Sequence, residues 1–242
     1  MRKYGFIFTC GGSEVVEYAT YGRALLRSMV ARLKGLSCPV IINHDDALTP
    51  ELRDQFVTIY PYCEFHMLPF KMYEENGKCL PRWWLLEAFN PELQVERLVT
   101  LGTDMLCMGD TGMLLYRDWG KIAAWKEPAR DDYNSGSMVI TPAVATADVY
   151  KALIEYKRPD GRFGHDQAAV NDVLRGQFTQ LPDTVMQFAT MMHEDRQVKT
   201  DVIWLHYIHK YWSSPQHIPK WALVELEKWL GPDNKNLSGK AK

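Results

Sequence analysis

Arg97-Leu98-Val99-Thr100-Leu101-Gly102-Thr103-Asp104-Met105-Leu106-Cys107-Met108-Gly109-Asp110 is the stretch on which the chain turns. Arg97 to Leu101 is a short apolar run rich in β-formers. It follows the turn signal Asn90-Pro91 and breaks at Gly102, the pattern of a fully buried strand. Gly102-Thr103-Asp104 then sets one carboxylate just past the carboxyl end of that strand, and a second apolar run, Met105 to Met108, closes at Gly109-Asp110. In an open α/β sheet, ligands sit outside the carboxyl ends of the strands. An acid held there is either a ligand for a hard cation, of the kind that escorts diphosphates, or a turn residue capping its loop.

Upstream, Tyr4 to Thr9 reads as a buried strand opening into the turn Cys10-Gly11-Gly12-Ser13, where backbone can approach a nucleotide closely. Apolar residues at helical spacing from Glu17 to Leu33 give a helix closed by Lys34-Gly35. Pro39 to Ile42 is a second strand, and Thr49-Pro50 starts a capped helix. Tyr62 to Leu68 is a third strand, and Leu80 to Phe89 a helix begun by Pro81. Alternating strands and helices predict a mostly parallel sheet covered on both faces.

Downstream, Lys121 to Trp125 reads as a strand. A polar loop, Asp131 to Gly136, leads into a strand from Ser137 to Ile140. Helices follow over Ala143 to Tyr156 and from His165-Asp166-Gln167 to Leu174. Thr200 to Tyr207 is a late strand, and Trp221 to Leu230 a short helix. The polar tail from Gly231 to Lys242 is expected to be disordered, leaving residues 1–230 as one domain.

A net charge of −2 argues against the broad basic footprint that nucleic acid or an anionic membrane needs. Five scattered cysteines without CxxC spacing suit a reducing compartment, and neither a disulfide framework nor a zinc site. No apolar run approaches the roughly 20 residues of a membrane span, and no signal peptide is visible, so a cytoplasmic location is expected.

Five pieces fall at strand ends: Thr9 to Gly12, Gly102 to Asp104, Asn134 to Gly136, His165 to Gln167, and His206 to Lys210. The stretches Leu101-Gly-Thr-Asp104, Tyr133-Asn-Ser-Gly136, His165-Asp-Gln-Ala-Ala-Val-Asn171 and Leu205-His-Tyr-Ile-His-Lys-Tyr-Trp212, in this order, resemble glycosyltransferase family 8. These are the glycogenin-like and bacterial galactosyltransferase-like enzymes of the GT-A fold. The resemblance implies a metal-dependent transferase that moves a sugar, with retention, from a UDP-sugar to a carbohydrate or other hydroxyl acceptor.

It also implies roles. Asp104 and His206 would hold a divalent metal, Mn²⁺ or Mg²⁺, and Thr103 would lie against the donor. Lys210 would neutralise a phosphate as the nucleoside diphosphate leaves. Asp166, Gln167 and Asn134 would meet the donor sugar, with Gln167 near the reacting carbon and Asp132 a lesser contact. Thr9, Cys10 and Gly11 would touch the base, mainly by backbone, and Arg82 the diphosphate or sugar.

Each residue has a plain structural alternative: Asp166 as a helix cap, Asn134 as a turn residue, His206 as a core histidine, Arg82 as a solvated charge, and Trp83-Trp84 as core. Two departures from the family stand out. Gly102 replaces the first Asp of the family's Asp-x-Asp, and the spacing from His206 to Lys210 is short. The first points to a second reading, a catalytically weak or inactive nucleotide-sugar binder. A nucleotidyltransferase would need a Gly-rich basic loop that is not evident, and a pure interaction module would bind no nucleotide.

Overall fold

The computed structural model describes residues 2–32, 37–68, 74–75, 78–79, 81–128, 131–157, 165–189, 202–207 and 215–231. Along the chain run β1 (Gly5–Thr9), α1 (Val15–Arg32), β2 (Val40–His44), α2 (Pro50–Ile59), β3 (Cys63–Met67) and the small hairpin of β4 (Glu74–Glu75) and β5 (Lys78–Cys79). A 3-10 helix, Pro81–Phe89, precedes β6 (Leu98–Thr100) and β7 (Met105–Cys107). Then come α3 (Gly112–Tyr116), β8 (Ile122–Lys126), β9 (Tyr133–Ile140), α4 (Ala147–Ile154), α5 (Asp166–Val173), β10 (Thr179–Gln180), β11 (Met186–Phe188), β12 (Trp204–His206) and α6 (Lys220–Leu230).

The main sheet has the strand order β10-β8-β9-β6-β1-β2-β3. It is parallel throughout except for β9, which runs against both β6 and β8. Its apolar strands are buried on both faces, the signature of a covered parallel sheet. In β1, Phe6 and Phe8 pack into a core with α1 and α2, while Ile7 points into a second core with the 3-10 helix, α4 and α5. A second, three-stranded sheet, β11-β12-β7, pairs β12 antiparallel to β7. The stretch quoted above therefore supplies one strand to each sheet, β6 to the first and β7 to the second. Gly102-Thr103-Asp104 turns the corner between them.

This is the mostly parallel sheet covered on both faces expected from the sequence, with local corrections. Pro81–Phe89 is a 3-10 helix. Trp83, Trp84, Leu85, Leu86, Ala88 and Phe89 are all buried, so apolar residues fall on every side and the pattern does not choose between three and 3.6 residues per turn. Trp83 and Trp84 are core. β9 begins at Tyr133, four residues earlier than its composition suggests. Tyr133 N–H donates to Asn171 Oδ1 and Asn171 Nδ2 donates to the Tyr133 carbonyl, each at 2.8 Å, so a side chain completes the edge that polar residues would otherwise fray. α4 starts only at Ala147, where Thr146 caps Val149 N–H at 3.3 Å. Of the expected late strand, Trp204–His206 forms within the described residues, and Thr200 and Asp201 lie outside them. β10 and β11, of two and three residues, are too short to carry a period and were not foreseen. The cap at Thr49 with Pro50 behind it forms as read. The tail beyond residue 231 lies outside the described residues.

Candidate active site

The corner at residues 101–104 is stitched to its surroundings through backbone. Leu101 N–H donates to Ile7 carbonyl at 2.8 Å, Gly102 N–H to Gly136 carbonyl at 3.1 Å, and Thr103 Oγ1 donates to the Thr9 carbonyl. Tyr207 N–H donates to the Asp104 carbonyl at 2.8 Å, extending the β7–β12 ladder in which Met105 faces His206. The ladder sets the two side chains side by side, with His206 Nε2 3.3 Å from Asp104 Oδ1 and both largely buried.

That separation tests whether a cation fits. Two ligand atoms at adjacent corners of an octahedron, each about 2.1 Å from a small divalent ion, lie about 3 Å apart. The Asp104–His206 pair meets this. Among the described residues no third His, Cys, Asp or Glu joins it. An ion held here would keep several positions for phosphate oxygens and water, a usual arrangement for Mg²⁺. Gly102 explains the missing carboxylate in steric terms. A Cβ at residue 102 would lie 2.9 Å from Asp104 Oδ1 and 3.2 Å from the Met105 methyl, so the Asp104 carboxylate already fills the space beside it.

Around this pair opens a cleft of about 190 Å³. Thr9, Gly102, Thr103, Asp104 and His206 reach it from the carboxyl ends of β1, β6 and β12. Asn134, Ser135, Asp166 and Gln167 reach it from the amino ends of β9 and α5. β9 runs against its neighbours, so its amino end falls on the same side of the sheet as their carboxyl ends. Tyr18 of α1 and Leu85 of the 3-10 helix complete the wall. Seven of the residues singled out in the sequence, Thr9, Thr103, Asp104, Asn134, Asp166, Gln167 and His206, thus meet in one place.

The polar groups are tied to one another. Ser135 Oγ donates to Asp166 Oδ2 at 2.6 Å. The cap of α5 is His165, whose Nδ1 accepts from Ala168 N–H at 3.3 Å, so Asp166 is the first helical residue and not the cap. Asn134 lines the cleft and lies within β9, so the turn role weighed for it does not hold; its Oδ1 accepts from Gly136 N–H at 2.9 Å. Two members were missed in the sequence, Ser135 and Glu127. Glu127 accepts from Asn134 Nδ2 and from Gln167 Nε2. The signal for Glu127 was available, because an acid just past a buried strand is the pattern that marked Asp104.

The glycine-rich turn is built tightly. Gly12, at φ 76°, donates its N–H to both Asp45 carboxylate oxygens at 3.2 and 3.1 Å. A Cβ on Gly11 would fall 2.5 Å from Asp45 Oδ1 and 2.5 Å from the Trp84 ring. Thr9 lines the cleft, whereas the Cys10 side chain is buried in the core and burial pushes its thiol pKa upward. Cys10 can therefore offer a ligand backbone only. Asp132 is half-buried and is not among the groups that wall the cleft. The side chain of Arg82, and all of His209 and Lys210, lie outside the described residues.

No family model and no curated protein matches this sequence. Solved structures match its fold. Galactosyltransferase LgtC, in complex with donor and acceptor sugar analogs, superposes with a TM-score of 0.73 at 15% identity, covering 94% of this chain and 95% of its own. The bifunctional glycosyltransferase WbbM gives 0.74 at 13% identity, covering 99% of this chain and 51% of its own, so this chain spans about half of WbbM. Core-mannan synthase A from Aspergillus fumigatus, in its Mn/GDP form, gives 0.53 at 8% identity, covering 72% and 70%. The fold is the GT-A fold in the form found in LgtC and WbbM. Among the described residues no helix is long and apolar enough to cross a membrane.

Proposed function

We propose that this chain, over residues 1–230, is a metal-dependent glycosyltransferase. It would take a sugar from a nucleotide-sugar donor, a UDP-sugar, and pass it to a carbohydrate or other hydroxyl acceptor in the cytoplasm, with retention of configuration. The observation that carries the reading is the Asp104–His206 pair in a strand-end cleft that Asn134, Asp166 and Gln167 also line. Support comes also from the fold, shared with LgtC, which was solved with donor and acceptor sugar analogs, and with core-mannan synthase A, solved with manganese and GDP.

In this reading Asp104 and His206 hold Mn²⁺ or Mg²⁺. The ion, when bound, offsets the charge that develops on the diphosphate as its bond to the sugar breaks. The chain's own groups do the rest. Thr103 and the backbone of Thr9, Cys10 and Gly11 border the nucleotide. Asn134 and Gln167 offer amides that both donate and accept, and Asp166 accepts, which together suit a ring of sugar hydroxyls. Arg82 and Lys210 are assigned the diphosphate by their sequence positions. The test is incubation with UDP-glucose or UDP-galactose and Mn²⁺ while following UDP release. Metal-dependent release supports the reading; none with any nucleotide sugar sinks it.

Gly102 favours a second reading, a binder of nucleotide sugars with little or no turnover, because among the described residues no second carboxylate joins the Asp104–His206 pair. Donor binding without UDP release would mark that outcome.

A further inference from the structure

Glu127 stands just past the carboxyl end of β8, and a single oxygen of it, Oε1, accepts from two amides of the cleft. Asn134 Nδ2 on β9 lies 2.9 Å away and Gln167 Nε2 on α5 lies 3.1 Å away. An ionised carboxylate only accepts, whereas a carboxamide has a donor end and an acceptor end of nearly the same shape. The carboxylate therefore dictates orientation: both NH₂ groups face it and both carbonyl oxygens face elsewhere. A flipped amide would set oxygen against oxygen.

The two amides depend on Glu127 to different degrees. Asn134 is held at both ends, since its Oδ1 also accepts from Gly136 N–H at 2.9 Å. For Gln167, the bond to Glu127 is, among the described residues, the side-chain hydrogen bond that sets its flip. The helix beneath is anchored separately. Asn171 Nδ2 donates to the Gln167 backbone carbonyl at 2.8 Å and Ser135 binds Asp166. Removing Glu127 would leave α5 docked on β9 and release only the amide orientation.

We propose that Glu127 is a positioning residue that fixes the Gln167 amide in one flip state, with its carbonyl on the side away from Glu127, before the donor arrives. The proposal rests on the glycosyltransferase reading for its consequence and on the hydrogen-bond geometry for its cause. A site that offers a fixed acceptor to a sugar hydroxyl avoids ordering that group during the reaction.

The test is a double-mutant cycle on UDP release in Mn²⁺, using wild type, Glu127→Ala, Gln167→Ala and the double variant, with Glu127→Gln as the conservative rescue. Glu127→Ala is expected to lower kcat by about 10-fold or more with KM for the donor changed less. Glu127→Gln, which keeps an oxygen acceptor, should stay within about 3-fold of wild type. In the Gln167→Ala background, Glu127→Ala should add less than about a 2-fold further loss, because partners acting as a unit are not additive. Equal losses in both backgrounds, or a wild-type rate for Glu127→Ala, would overturn the proposal. The side-chain amide ¹⁵N spectrum gives a readout independent of turnover. Glu127→Ala should shift the Gln167 NH₂ resonances, and unshifted resonances overturn the proposal. If wild type neither binds nor cleaves a nucleotide sugar, the glycosyltransferase reading fails while the spectrum still decides the role of Glu127.

Discussion

His206 Nε2 lies 3.3 Å from Asp104 Oδ1, although the two stand 102 positions apart in sequence. The closeness is a product of backbone. β12 runs antiparallel to β7 with His206 opposite Met105, and Tyr207 N–H closes on the Asp104 carbonyl. The small second sheet therefore does one job for the site, which is to bring an imidazole from the far end of the chain against the carboxylate at the end of β6.

Gly102 tests how tightly that carboxylate is set. Gly102→Ala would bring a methyl to 2.9 Å from Asp104 Oδ1 and force the carboxylate to turn. Mn²⁺ affinity measured in the presence of UDP is expected to fall by about 10-fold, with the melting temperature little changed. Unchanged affinity would mean that the Asp104 carboxylate is not held where the ion binds.

Gly11 is a stability position. Its Cβ would meet Asp45 and Trp84 at 2.5 Å, and neither the buried ring nor the carboxylate that binds Gly12 can withdraw without loss. Gly11→Ala is expected to cost about 2 kcal/mol in denaturant unfolding, as overpacking a filled site does. A cost near zero would show that the turn relaxes freely.

Trp84 distinguishes a core residue from a stacking platform. It is 1% exposed, and its backbone carbonyl accepts from Asn43 Nδ2 at 2.8 Å. Trp84→Ala should cost about 3–5 kcal/mol. Trp84→Phe, which keeps a buried ring, should bind UDP within about 3-fold of wild type. A large loss of UDP affinity in the phenylalanine variant, without loss of stability, would make Trp84 a ligand contact.

The neutral state of His44 makes stability depend on pH. Burial pulls its pKa below the ordinary 6.5, because the charged ring is poorly solvated there. The unfolded chain thus takes up the proton first as pH falls. The stability that the neutral ring contributes is complete above about pH 6.5 and is lost as pH drops below that toward the lower folded-state pKa. Melting temperatures from pH 7 to 5 should fall less steeply in His44→Asn than in wild type. Parallel profiles would remove His44 as a contributor.

Much of this was legible in the chain because the signals were local. The apolar run at Leu98–Thr100, the break at Gly102 and the cap at Thr49 are decided by residues next to one another, and they formed as read. The gathering of Thr9, Asp104, Asn134, Gln167 and His206 was implied by the resemblance to family 8 and not by the alternation, which would have set the amino end of β9 on the opposite side; β9 runs antiparallel, and that brings Asn134 to the others. What could not be read were features settled by distant partners. β9 starts at Tyr133 because Asn171, 38 residues on, completes its hydrogen bonds. Glu127 carried a local mark, an acid just past a buried strand, but its partners Asn134 and Gln167 come from the starts of β9 and α5. β11 is three residues long and exists through its pairing with β12.

The central claim is that Asp104, with His206, holds a cation through which a nucleotide sugar binds. Calorimetric titration of UDP-galactose and UDP-glucose into wild type and Asp104→Ala, each with Mn²⁺ and then with EDTA, addresses it most directly. Binding to wild type in Mn²⁺ that is lost both in EDTA and in Asp104→Ala is the expected result. Binding of equal strength in EDTA, or undiminished by Asp104→Ala, would contradict the account.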